Sequence, residues 1–206
     1  MFFAPLTRSR VWRGLAVAIF HRGDIDARAR GVGGLGEQHS GKLASLLGAW
    51  KVQEWQGMDK FLEDLAFPRW QRALAARAGQ QYLLQLKGGS SDGESLDNAT
   101  LRIVTSDIRG KSELELPLSG RGVLSRDGDG GAAVTRSVRP IDDRTVEITE
   151  RFPKDRDPYS VCTRTLTKDG RMLLTVKKRT PRGTMASMRA FATRVVDAAT
   201  QRRLGA

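Results

Sequence analysis

Apolar and polar positions alternate along most of the chain, with one clear change of period. Residues 47–55 set Leu47, Ala49, Lys51 and Gln53 against Gly48, Trp50 and Val52, with Trp55 at the end. This period of two predicts a strand. Met58, Phe61, Leu62 and Leu65 then recur at i, i+3, i+4 and i+7, which predicts one face of a short helix over 58–66. Pro68 breaks that helix and suits the first turn of another. Trp70, Leu74 and Ala78 form the second helix's apolar stripe, ringed by Arg69, Arg72 and Arg77, with Gly79 as its stop.

Beyond Gly79 the chain reads as strand and turn. The runs QYLLQLK, ATLRIVTS, SELELPL, AAVTRSV, TVEITERF, SVCTRTLT, RMLLTVKK and TMASMRAFATRVV are divided by GGSSDG, SDIRGK, RDGDGG, PIDD, PKDRDP, KDG and TPRG. Short, evenly spaced strands with turn residues between them predict an antiparallel meander, either a barrel or a sandwich. Asp169-Gly170 is the strongest hairpin signal. A helix pair after the first strand of a closed barrel would cap its open end.

Composition narrows the functional classes. The 206 residues suffice for one domain with a core and some extra segments. A single cysteine, Cys162, excludes a disulfide framework and a cysteine-based zinc cluster. His21 and His39 both precede residue 40, so the rest of the chain has no histidine base or ligand. Asp142-Asp143 lies in a turn, PIDDR, and reads as structural. An enzyme, a metal and a cofactor are therefore not expected. No run of about 18 apolar residues is present, so no transmembrane helix is expected.

Net charge is +12, which favours phosphate-bearing partners such as nucleic acid or an anionic membrane surface. The first forty residues hold six Arg against three acids, +3 of that total, leaving +9 for the remainder. A nucleic-acid-binding sheet wants aromatics interleaved with Lys and Arg. Tyr82, Phe152, Tyr159 and Phe191 are instead widely dispersed, which makes nucleic acid the weaker partner.

The N-terminal segment has its own pattern. Arg8, Arg10, Arg13 and Arg22 precede the first acid, Asp24, with Trp12, Leu15, Ile19 and Phe20 at helical spacing. That is the composition of an organellar targeting peptide, or of an unstructured extension. Gly31 to Gly36 fits G-x-G-x-x-G, and Gly36 to Lys42 nearly fits a P-loop, with Leu43 where Ser or Thr should stand. Both motifs need a buried strand before them, and DIDARAR cannot be one, so a glycine-rich linker is the reading.

Several features recur in a telling order. Leu46-Leu47-Gly48-Ala49-Trp50 opens the first strand, and Asp59-Lys60-Phe61-Leu62 lies on the first helix. PRWQRALAARAG supplies the second helix, Arg164 precedes the Lys168-Asp169-Gly170-Arg171-Met172 hairpin, and Arg189-Ala190-Phe191 stands in the last strand. Over roughly residues 45–195 this order and spacing resembles the fatty-acid-binding proteins, the small intracellular lipid-binding proteins. The resemblance implies a mainly β fold: an antiparallel up-and-down barrel of about ten strands with a helix-turn-helix lid after the first strand. It divides the chain into an N-terminal extension (1–44), the barrel (45–196) and a C-terminal tail (197–206).

The resemblance further implies a non-catalytic carrier of long-chain fatty acids or related hydrophobic carboxylates, a cytoplasmic monomer. An organelle is the alternative if residues 1–40 are a transit peptide. Within the fold, a retinoid, bile acid or haem-like ligand is a further alternative. A carboxylate in an apolar interior needs a charged partner, and a guanidinium fork fits it. Arg164 shares a face with Cys162 and Leu166, and Arg189 shares one with Met185, Ser187 and Phe191. Both arginines are expected to point inward. Phe191 stands where the family has Tyr, which removes one hydroxyl. Met58, Phe61 and Leu62 are the lid's candidate ligand contacts, and Arg69, Arg72 and Arg77 are candidates for transient contact with an anionic membrane.

Overall fold

A computed structural model of the chain describes residues 43–88, 98–107, 110–126 and 132–196. The targeting-like segment, both glycine motifs, His21, His39, the SSDGESLD and RDGDGG loops and the tail from 197 lie outside the described residues, wholly or nearly so. A 3-10 turn at Ala44–Leu46 leads into β1 (Gly48–Gln56). The lid pair follows as α1 (Met58–Asp64) and α2 (Arg69–Arg77). Nine more strands complete the fold: β2 (Gln81–Lys87), β3 (Thr100–Asp107), β4 (Gly110–Pro117), β5 (Val123–Arg126), β6 (Ala133–Asp142), β7 (Thr145–Arg151), β8 (Ser160–Leu166), β9 (Met172–Arg179) and β10 (Met185–Arg194).

The strands form one antiparallel sheet in the order β4-β3-β2-β1-β10-β9-β8-β7-β6-β5. Every strand pairs with its sequence neighbours except at β4 and β5, which share no ladder, and β1 pairs with β10. The sheet is thus a nearly closed barrel. The sequence pattern places every strand but β5, whose four residues are too few to show a period.

The opening Gly-x-Trp explains the β1–β10 seam. Gly48 has φ +112°, and a Cβ there would meet Arg194 Nη1 at 2.7 Å. That guanidinium donates to the Leu47 and Ser45 carbonyls, at 2.7 Å each, and lies 4.6 Å from the Trp50 ring centre. Trp50 is fully buried and donates to the Leu46 carbonyl. The positive φ is what favours glycine at this position, and the missing Cβ leaves the guanidinium its seat.

The barrel interior is packed by Trp50, Leu84, Leu101, Ile103, Leu116 and Met172, all nearly inaccessible to solvent. Each such side chain contributes about 1.5–3 kcal/mol by burial. A second cluster joins lid to barrel: Met58, Phe61, Leu62 and Leu65 of the α1 segment pack with Ala75 and Ala78 against Val176, Ala186 and Met188 of β9 and β10.

Two expected faces are corrected. On α2 the buried residues are Gln71 and Ala75, followed by Ala78, while Trp70 and Leu74 stand 59% and 52% exposed. The helix is turned so that small Ala75 lets it lie close to α1. Arg72 reaches back to Asp59 and Glu63 of α1, at 3.0 Å each. On β10 the buried series is Ala186, Met188, Ala190 and Ala192, so Arg189 and Phe191 occupy the opposite face. The neighbouring β1 fills the interior here with Trp50 and Trp55, and Trp55 lies beside Ala190 in register. Alanines leave the volume those rings need.

Candidate functional site

Alternation along β8 turns Ser160, Cys162, Arg164 and Leu166 toward the interior. Arg164 is 4% exposed, and among the described residues its Nε and Nη1 have no hydrogen-bond partner. Its guanidinium carbon lies 5.2 Å from the centre of the Tyr82 ring on β2, a cation–π contact across the barrel. The Tyr82 hydroxyl donates to Gln80 Oε1 at 2.5 Å. Burial pushes the Tyr82 phenol well above its ordinary pKa, with Arg164 acting the other way, so it remains a neutral donor.

A void opens at Arg164. Tyr82, Thr105, Ile148 and Leu174 border it on the inner side. Toward the lid it is bordered by Trp55, Val176 and Met188, and along β7 and β8 by Glu150, Ser160 and Cys162. Its free volume is about 30 Å³, room for about two water molecules. Burial raises the Cys162 thiol's pKa, with Arg164 opposing, which leaves it a small protonated side chain rather than a nucleophile.

A buried charge pair stands beside the void. Arg136 on β6 donates from Nε to Glu150 Oε1 at 2.7 Å and from Nη1 to Ser125 Oγ at 2.7 Å. Both Arg136 and Glu150 are buried. Sequence reading missed this pair. Its signal was the i/j register of two alternating strands, Arg136 opposite Glu150, which only the ladder reveals.

The structure brings together Arg164 and Cys162 of the residues expected to bind ligand. Arg189 borders the void but is exposed, and Phe191 is half-buried on the outer face under Arg171, 4.7 Å from its ring centre. Met58, Phe61 and Leu62 are buried in the lid-to-barrel cluster rather than along the void. Arg69 and Arg77 are exposed, whereas Arg72 is held by α1's acids. Among the described residues no three His, Cys, Asp or Glu side chains gather to hold a metal.

A nearly closed ten-stranded barrel with a helical lid after its first strand and an arginine in its interior defines a fatty-acid-binding-protein-like fold. Solved structures share it. A Schistosoma mansoni fatty acid binding protein in complex with arachidonic acid is 18% identical, with a TM-score of 0.56 over 75% of this chain and 99% of that one. The REP1-NXSQ fatty acid transporter is 19% identical, with a TM-score of 0.54 over 74% and 97%. A zebrafish ileal bile acid-binding protein complexed with cholic acid is 14% identical, with a TM-score of 0.55 over 73% and 99%. No protein-family model and no curated protein sequence matches this chain.

Proposed function

We propose that this protein is a non-catalytic carrier that binds a long-chain fatty acid or similar hydrophobic carboxylate inside the barrel. One observation carries the reading: a guanidinium buried to 4% exposure presents two unpartnered N–H groups to an interior void. A buried cation without a counter-charge is costly. A carboxylate supplies that charge and accepts a hydrogen bond from the guanidinium. The fold supports the same reading, since its solved neighbours include a fatty acid transporter and an arachidonic acid complex.

The void is too small for an acyl chain without movement. Trp55 and Met188 separate it from the lid, and Met58, Phe61 and Leu62 lie beyond them. The tail runs toward the lid and displaces these side chains, Met188 being the most adaptable. Arg164 binds the carboxylate with Cys162 alongside, and Arg189 is not a ligand residue in this reading. The protein acts as a cytoplasmic monomer, or in an organelle if residues 1–40 serve as a transit peptide.

Trp70 and Leu74, exposed between Arg69 and Arg77 on the lid, favour transient contact with an anionic membrane as the site of ligand exchange. The deciding experiment titrates the lipid-stripped, full-length chain with a fluorescent long-chain fatty acid. Saturable one-to-one binding that weakens in Arg164→Ala, but hardly in Arg189→Ala, is the expected result. Absence of binding by the parent chain, with oligonucleotides bound instead, would overturn the carrier reading in favour of a nucleic-acid-binding barrel.

A further inference from the structure

The barrel interior carries an excess of positive charge. Among the described residues the buried charged side chains are Arg136, Glu150, Arg164 and Lys178, three cations to one acid. Strand register sets them on one wall. Arg136 faces Glu150, Glu150 faces Ser160, and Ser160 faces Lys178, across β6, β7, β8 and β9. Arg164 stands further along β8 on the same face as Ser160. Glu150 is taken up by Arg136 at 2.7 Å, and Lys178 lies 5.2 Å from the Tyr159 ring centre. Arg164 is left with the Tyr82 ring, and among the described residues its Nε and Nη1 are buried without a hydrogen-bond partner. A guanidinium does not shed its proton at any ordinary pH, so only an anion relieves this charge.

We infer that the lipid-free barrel binds chloride at Arg164, and that a fatty acid carboxylate must displace it. Size and wall chemistry select this ion. The free volume of about 30 Å³ admits a monatomic anion little larger than water, without the side-chain movements that an acyl chain demands. Ile148, Leu174, Val176 and Met188 give the void apolar walls, which suit a weakly hydrated halide better than sulfate or phosphate. A water molecule accepts a hydrogen bond from the guanidinium but leaves its charge uncompensated. The inference shares Arg164 with the carrier reading yet does not need it, since it rests on burial and charge alone. Its consequence is regulatory: chloride-poor surroundings favour loading of the acid, and chloride-rich ones favour its release.

The test exchanges sodium gluconate for sodium chloride at constant ionic strength, with the full-length, lipid-free chain. Gluconate is too large for the void. The urea midpoint of the unaltered chain should rise with chloride, and that of Arg164→Met should stay level. Hexadecanoic acid should bind about threefold more weakly at about 100 mM chloride, as competition requires of a site about two-thirds filled. Arg189→Ala should keep both responses. Broadening of the chloride NMR line by the unaltered chain, relieved by one equivalent of the acid, reads the same site should Arg164→Met fail to fold. A midpoint and line width indifferent to the protein's halide, or a rise that persists in Arg164→Met, would overturn the inference; binding of the acid would then leave the carrier reading standing. A chloride response without binding of any acid would uphold the inference and overturn the carrier reading alone.

Discussion

Arg164 stands inside a barrel whose other deep residues are mostly apolar, at a cost the fold does not recover by itself. Replacing it with methionine, of similar length and no charge, should stabilise the ligand-free protein by about 1–4 kcal/mol. A raised urea midpoint at unchanged slope would show this, and the same variant should lose fatty acid affinity. A lowered midpoint would make the Tyr82 contact structural and remove the reason to look for an anion. The Arg136–Glu150 pair behaves oppositely, because each charge already has its partner. Glu150→Ala should destabilise by about 3–5 kcal/mol in chemical denaturation, since it strands a buried guanidinium. Arg164 was identifiable from its apolar neighbours along β8. Arg189 had equally apolar neighbours yet lies outside, because β10 has two faces that both read as half-apolar.

At the scale of elements, the β8–β9 hairpin is where sequence and structure agree most closely. Gly170 takes φ +79°, and Asp169 accepts hydrogen bonds from the Thr167 hydroxyl and, at 2.6 Å, from Arg171 Nε. These bonds hold the Asp169 carboxyl down to about 2. A depressed carboxyl stabilises the fold above its unfolded value, near 3.9, and the contribution fades as pH falls through about 2. An NMR titration of Asp169 should therefore have its midpoint near 2; a midpoint near 4 would mean that the turn's hydrogen bonds are not held in solution.

The lid is the contrasting element. Its second helix shows a stripe of Trp70, Leu74 and Ala78 in sequence, but the partner helix takes the Gln71 and Ala75 face instead. Trp70→Ala with Leu74→Ala should reduce association with anionic vesicles at low salt while costing the fold within about 0.5 kcal/mol, because exposed side chains contribute little to it. Unchanged sedimentation with vesicles would remove the membrane from the exchange step.

For the whole molecule, the barrel's one interruption sets where it opens. β4 and β5 share no ladder, and β5 has only four residues. Amide exchange should be fastest among the strands at Val123–Arg126 and slowest along the strands paired on both sides, at the middle of the sheet order around β1, β10 and β9. Protection of β5 equal to that of β9 would indicate a seam closed in solution. The net charge of +12 acts at this scale too: binding to anionic vesicles should weaken as salt rises, because exposed charges are screened within about a Debye length.

The sequence by itself determined the order and kind of the elements. Period two and period 3.6 are properties of the local backbone, and the glycine, proline and Asp-Gly punctuation marks where each run ends. It also determined that an arginine would lie among apolar neighbours on β8. The tertiary structure alone decided which of two plausible faces turns inward on β10 and α2. That choice depends on volumes supplied from elsewhere, by Trp50 and Trp55 of β1 and by the close seat of α2 on α1. It also set Arg136 against Glu150, and Thr105 and Ser160 around one void, since residues so far apart in the chain meet only through the register of strands.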